Sequence, residues 1–311
     1  MDVTKRKNTP PVNPHFALAI GVFAVSTGAI FARLAEAPAL VIAAYRVGLA
    51  TLILAPVTWI TAKDELLALS KTDLSLAATS GFFLALHFAA WISSLNYTSV
   101  ANSVVLVNTN PLWVGLLSPL IAKERIRKAA VLSIIVSVIG GFVIGAGDFK
   151  SDVNALRGDA LALFGSIGAA VYILIGRNLR RRLTLLVYVM VCYGSAAIIL
   201  WACVLVFQMK ISGFDKTTWI FLGAMALITQ MIGHTSYNWA LKWFSAGLIA
   251  VSLLGEPICA TMLAYMIFDE GLTWSKIIGG ALVLSAIYIA GKSEKHEKRI
   301  AYTHKHITMI S

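Results

Sequence analysis

The chain has 311 residues, 58% of them hydrophobic and only 13% charged, with a mean hydropathy of +0.79. A soluble domain carries about 25% charged residues, so there is too little polar surface here to cover a water-soluble globule. The net charge of +11 lies in short runs between apolar blocks, a pattern of membrane topology rather than of nucleic-acid binding.

A helix needs about 20 mostly apolar residues to cross a bilayer. By that rule the sequence predicts ten spans, at 15–35, 39–61, 74–95, 99–122, 128–147, 158–178, 184–207, 217–241, 246–268 and 273–291. The segment before them, 1–14, is polar and basic (Lys5, Arg6, Lys7), and its apolar sequel is long enough to span, so a retained first helix is expected rather than a cleaved signal peptide. The segment after them, 292–311, is basic and reads as a mobile cytoplasmic tail. Continuous apolar runs argue for helices, because barrel strands would alternate. Cys192, Cys203 and Cys259 all lie in apolar stretches without CxxC spacing, which predicts packed thiols and neither a disulfide nor a metal site. The tail histidines His296, His304 and His306 are too loosely spaced for a metal site.

Lys and Arg set orientation. With the first residue in the cytoplasm, 19 of the 26 basic residues fall on the cytoplasmic side and six outside, while Arg46 lies within a span. Both ends are therefore expected in the cytoplasm, with an even number of spans. Few cysteines and a compact form fit a bacterial inner (plasma) membrane.

Charged groups in mid-span cost about 2.5–3.5 kcal/mol on insertion scales and need a partner, a cavity or a water path. Glu256, followed by Pro257 in the ninth span, is one such group. Its carboxylate lies beside a backbone that the proline loosens, which suits a substrate amine, a proton, or a structural role, bonded to a neighbouring helix or paired with Arg46. Arg46 in the second span could grip a carboxylate in a fork, snorkel outward, or lock two helices. Asn110 and Pro111 stand in the fourth span where Glu256 and Pro257 stand in the ninth, and the two prolines read as hinges. Asn102 and Asn108 extend a polar side of that fourth span without forming one clean stripe.

His87 and Trp91 are four apart in the third span and share a face. Gln230, His234 and Asn238 repeat that ladder in the eighth span, with Tyr237 adjacent. Polar stripes in apolar helices face the protein interior, either to line a cavity or to bond neighbouring helices. Tyr172 in the sixth span is a further candidate for the lining. Blander features are Gly141-x-x-x-Gly145, a helix-packing motif, and Arg180, Arg181 and Arg182, which set topology.

The two halves echo each other at an offset near 146 residues. Asn110-Pro111 corresponds to Glu256-Pro257, Lys123-Glu124-Arg125 to Asp269-Glu270-Gly271, and Leu95-Asn96-Tyr97 to Leu241-Lys242-Trp243. His87 has a near counterpart in His234, one residue out of step. The domains are thus 15–147 and 158–291, each of five helices. Five is odd, so the second copy starts on the opposite side of the membrane, an inverted topology that suits alternating access.

The Asn-Pro and Glu-Pro helices, each ending at an acidic residue before a short loop and a Gly-rich helix, resemble the EamA repeat of the drug/metabolite transporter superfamily. The resemblance is strongest over 84–147 and 230–291. It implies an all-α integral membrane fold of ten helices, two inverted five-helix repeats around a central cavity, and a secondary transporter without cofactor. Characterised relatives mostly export amino acids or metabolites. Amphipathic lining with one carboxylate and one arginine suits a zwitterion, so amino-acid export is the first expectation. Metabolite uptake, a passive channel, and a non-transport scaffold or lipid-modifying enzyme are the alternatives. No GxxxxGK[ST], HExxH or GxSxG motif supports an enzyme or ATP-driven pump. The expected partners are a small-molecule substrate and the lipid bilayer. Glu256, His87 and His234 are candidates either for moving protons or for static roles. The oligomeric state is left open.

Overall fold

The computed structural model describes residues 10–98, 100–124, 128–145, 153–268 and 273–307, with the backbone alone at 101, 102, 144, 145, 264, 268, 276, 291 and 293–307. The described part is helical. The first half holds α1 (Pro14–Ser26), α2 (Gly28–Leu34), α3 (Ala39–Leu67), α4 (Lys71–Ser94), α5 (Val100–Val107), α6 (Asn110–Ile121) and α7 (Lys128–Gly145). The second holds α8 (Val153–Leu179), α9 (Leu185–Val206), α10 (Lys216–Ala224), a π-helical segment (Met225–His234), α11 (Thr235–Ala240), α12 (Ala246–Leu253), α13 (Gly255–Phe268) and α14 (Trp274–Ile307). Among the described residues seven helical stretches are long and apolar enough to cross a membrane, and Lys128–Val143 and Ile277–Ala290 are shorter apolar helices.

Polar caps fix where helices begin. Asn13 accepts from the His15 N–H at 3.0 Å with Pro14 in the first turn. Ser70 accepts from Asp73 N–H at 3.0 Å and donates back to its carboxylate at 3.0 Å. Asp215 takes the N–H groups of Thr217 and Thr218 at 3.2 and 2.9 Å, and Ser245 that of Leu248 at 3.2 Å.

Large apolar side chains such as Leu52, Ile60, Leu120, Ile198, Val206 and Tyr288 are exposed on the outer faces. In water this would be a liability; against lipid it is the ordinary condition. Between helices, missing side chains let backbones approach. A Cβ on Gly81 of α4 would lie 2.3 Å from the Cys192 carbonyl oxygen of α9, and one on Gly168 of α8 would lie 3.0 Å from that of Phe83.

The packing has a two-fold pattern. The pairing of α4 with α8 has its counterpart in that of α1 with the π segment and α11, and the pairing of α8 with α5 and α6 in that of α1 with α12 and α13. The contacts α3·α9 and α7·α14 map onto themselves. Gly21 on α1 and Gly165 on α8 make the tight approaches in matching places, the first to Gly233 and the second to Trp91.

Several expected elements differ. The first span breaks at Thr27, whose hydroxyl bonds the Ala24 carbonyl at 2.7 Å and Thr229 at 3.1 Å. The fourth breaks at Asn108–Thr109 and the ninth at Leu254, each just ahead of its proline. The eighth is wound as a π-helix through its middle. The tail expected to be mobile continues α14 as helix to Ile307, since no Gly or Pro interrupts 292–307. In α7 the close approach is made by Gly140, where a Cβ would lie 2.8 Å from the Gly279 carbonyl, whereas one on Gly141 of the expected motif would meet nothing nearer than 3.9 Å.

Candidate substrate cavity

Six helical regions deliver polar side chains to one interior space of about 40 Å³. Arg46 comes from α3, His87 and Trp91 from α4, and Tyr172 from α8. Asn108 and Asn110 come from the break between α5 and α6, His234 and Tyr237 from the junction of the π segment with α11, and Glu256 from the start of α13. Val25, Val107, Ala169, Ile173 and Leu253 supply the apolar remainder. The two broken helices bring their loosened ends to the same space, as discontinuous helices do at membrane binding sites.

Arg46 is 1% exposed, so it does not snorkel. Its guanidinium lies 4.0 Å over the Phe88 ring and 5.9 Å from that of Trp91. Its Nε donates to Gln230 Oε1 at 2.8 Å. No carboxylate among the described residues forms an ion pair with it, so the structural pairing with Glu256 is absent. Glu256 instead accepts from Asn108 Nδ2 at 3.3 Å. Arg46 Nη1, Gln230 Nε2, Trp91 Nε1 and Asn110 Oδ1 are buried without hydrogen-bond partners. Buried polar atoms are ordinarily satisfied, so those of the lining, on Arg46, Trp91 and Asn110, are free to meet a guest.

His87 donates from Nδ1 to the Gly165 carbonyl at 3.0 Å, which fixes its tautomer and leaves Nε2 as an acceptor in the neutral ring. Its ring lies parallel to that of Trp91 at 6.0 Å. His234 faces it across 6.4 Å and is hydrogen-bonded through Nδ1 to the Tyr237 hydroxyl.

The expected Gln230–His234–Asn238 ladder divides. Only His234 lines the cavity; Gln230 holds Arg46, and Asn238 donates to the hydroxyls of Tyr172 and Tyr193, the latter at 3.1 Å. The π winding of the first part and the α winding of the second set the three side chains to different neighbours. The Asn102 side chain lies outside the described residues. Pro111 and Pro257 stand in the first turns of α6 and α13, one residue after the lining residues Asn110 and Glu256. Phe88, Gly28 and Thr229 were not anticipated. Phe88 is a platform for the guanidinium, and a Cβ on Gly28 would meet Thr229 at 3.0 Å, Trp91 at 3.3 Å and Arg46 Nη1 at 3.7 Å. Four elements thus close on one another beside Arg46, and only side-chain distances, not spacing in the sequence, reveal it.

The two ends of the molecule differ. At one, a depression of about 550 Å³ is lined by Arg33, Glu36, Asn96, Lys210 and apolar neighbours such as Ile42 and Ile92. At the other, Glu124 is held at 2.7 Å by both Arg177 Nε and Arg181 Nη2, and Asp73 at 2.6 Å by Arg182. Arg180 donates to the carbonyls of Asn238 and Leu183. Burial lowers its pKa to about 10, which still leaves it charged at neutral pH. The arginine run expected only to set topology is therefore also bonded within the protein.

A bundle of apolar helices enclosing a polar cavity with unpartnered donors is the architecture of a membrane protein that handles a small solute. The chain belongs to the EamA-like transporter family, whose model matches residues 13–146 and again 156–291. It is similar to the uncharacterized transporter YetK of Bacillus subtilis strain 168, with 24% identity over 71% of this chain and 69% of that one. An uncharacterized transporter of Clostridium kluyveri is 26% identical over 81% of this chain and 84% of its own. A solved crystal structure covers 91% of this chain and 98% of its own at a TM-score of 0.73 and 19% identity, a likeness of fold. The chain is thus a multi-pass transporter of the EamA repeat type, in keeping with the drug/metabolite transporter superfamily.

Proposed function

We propose that this transporter carries a small polar or amphipathic metabolite, first of all an amino acid, out of the cell by alternating access. The observation that carries the reading is one cavity with Arg46 and Glu256 in its wall, unpaired with each other, and with Arg46 Nη1 left without a partner. A substrate carboxylate would be held by Arg46 and an ammonium by Glu256 and the Asn110 carbonyl oxygen. The rings of Trp91, Tyr172 and Tyr237 would flank its apolar part.

The mechanism rests on ten spans in two inverted repeats. The seven long stretches, the two shorter apolar helices and the interrupted helix formed by α10, the π segment and α11 support that number. The two-fold packing pattern and the doubled family match support equivalent halves. With five spans each, the halves are inverted. The basic balance of the loops supports cytoplasmic ends and an inner-membrane setting. Protons bound at Glu256, His87 or His234 would supply coupling.

The test is counterflow in proteoliposomes with labelled amino acids and a panel of unlabelled metabolites. Saturable exchange with amino acids is expected. Exchange with other metabolites alone overturns the substrate class, and flux without saturation or counterflow overturns the carrier in favour of a channel.

A further inference from the structure

The ion pairs around Glu124 lie where the two halves meet, away from the cavity lining. Glu124 follows α6 directly, and the chain reaches it through Lys123, whose φ of 55° is a left-handed conformation that side chains rarely adopt. The Ala122 N–H closes back on the Ser118 carbonyl at 3.0 Å and the Glu124 N–H at 3.4 Å. The turn thereby aims the carboxylate at the second half. There Oε1 takes Arg177 Nε and Arg181 Nη2, both at 2.7 Å, and Oε2 takes the Ala246 N–H at the start of α12 at 3.3 Å. Arg177 also donates to the Leu241 carbonyl at 2.5 Å. One carboxylate thus ties α6 to the end of α8 and to the connection between α11 and α12. Glu124 and Arg177 are only 16% and 15% exposed, so water weakens this set less than it would a surface pair.

Among the described residues the opposite end carries no such ion-paired tie. Arg33, Glu36 and Lys210 line the open depression and make no ion pair with one another among the described residues. The helices that line the depression also line the cavity: on α3 Ile42 and, a turn away, Arg46, and on α4 the neighbours Ile92 and Trp91. The molecule is therefore strapped at its arginine-rich end and open at the other.

We propose that Glu124 is the latch of the arginine-rich end: Arg177 and Arg181 hold its carboxylate in place, and its bond to Ala246, with that of Arg177 to Leu241, must part before the cavity opens to that side. The proposal rests on the alternating-access reading. In it, α4, α6 and α8 pack as one body and α1, α11, α12 and α13 as its counterpart. The latch spans the two, joining α6 and α8 of the first to the α11–α12 connection of the second. Breaking it favours the conformation open to the arginine-rich side at the expense of the one described.

The experiment needs no substrate. Ala169→Cys, on the cavity wall, is placed in full-length protein carrying Cys203→Ala and Cys259→Ala, Cys192 being buried. A small membrane-impermeant thiol reagent is added to intact cells and, separately, to inverted vesicles. Glu124→Gln keeps the shape and removes the charge. Labelling from the arginine-rich side is expected to rise about fivefold, the scale of one hydrogen bond, and labelling from the depression side to fall. Arg181→Ala removes one half-exposed arm and should shift labelling the same way by less, which serves if Glu124→Gln fails to reach the membrane. Asp73→Asn, which frees Arg182 between the already closely packed α4 and the chain before α9, should leave labelling unchanged. Unaltered labelling in Glu124→Gln with one-sided access in the parent overturns the latch and leaves the carrier standing. An equal shift in Asp73→Asn also overturns the latch, since any lost charge would then suffice. Equal and simultaneous access from both sides in the parent overturns alternating access itself.

Discussion

The break before Asn110-Pro111 and the break before Glu256-Pro257 are the same backbone device used for different chemistry. Each interrupts a span near its middle and turns the start of the following helix toward the cavity. The first is anchored: Thr109 donates to the Leu106 carbonyl at 2.7 Å and shares a hydrogen bond with Ser166 of α8 at 3.0 Å. It presents neutral amides. The second presents a carboxylate, and the hydrogen bond that carboxylate receives comes from Asn108 at the first break. A repeated scaffold thus supplies two polar openings, and the sequence places charge in only one of them.

The largest effect should come from erasing that difference. Glu256→Gln leaves the volume and one acceptor but no charge, so the two breaks become chemically alike. Saturable counterflow should fall roughly 10–100-fold, the equivalent of about 1.5–3 kcal/mol for a charged hydrogen bond. Full exchange in the variant would demote Glu256 to packing. Adding Asn110→Asp to that background moves the charge to the other break. Partial recovery would show that the cavity needs a carboxylate but not on one particular helix; no recovery would show that its place matters.

Next comes the partner charge. Arg46→Lys keeps the cation but loses the planar donor set that bonds Gln230 and lies over the Phe88 ring. Apparent affinity for substrate should weaken about tenfold, the size of one hydrogen bond plus a cation–π contact. Transport affinity at the parent value would mean that Arg46 locks helices and touches no solute. Gln230→Ala should give a smaller loss in the same direction, because the guanidinium remains but is no longer held in place.

The sequence announces the parts of this site that violate the rules of a bilayer. An arginine, a glutamate and two histidines within apolar runs stand out by their transfer cost, and two prolines at matching offsets mark the broken helices. What spacing cannot show is which polar groups satisfy each other. Arg46 meets Gln230 across 184 residues, and Asn108 meets Glu256 across 148. Asn238 has the spacing of a lining residue yet is consumed by Tyr172 and Tyr193 behind the wall. The break at Thr27 has no proline, and the π segment has no signature in composition, since both arise from what the chain packs against. Gly81 and Gly140 looked like any membrane glycine; the backbone opposite them is what makes them necessary.

The smallest effect tests the anchoring of the first break. Thr109→Val keeps the shape of the side chain while removing its hydroxyl, and with it the bonds to Ser166 and to the Leu106 carbonyl. Interhelical hydrogen bonds in membranes are worth about 0.6 kcal/mol on average because the unfolded chain in lipid also finds partners. Thermal unfolding in detergent should therefore shift only slightly toward lower temperature. Counterflow should respond differently: a looser α5–α6 junction moves Asn108, the donor to Glu256, so the apparent affinity should weaken about two- to threefold. If stability falls while affinity stays fixed, the first break is scaffold only, and the contrast between the two breaks is one of role as well as of charge. If affinity falls with stability nearly unchanged, the anchored amide is part of how the carboxylate is held.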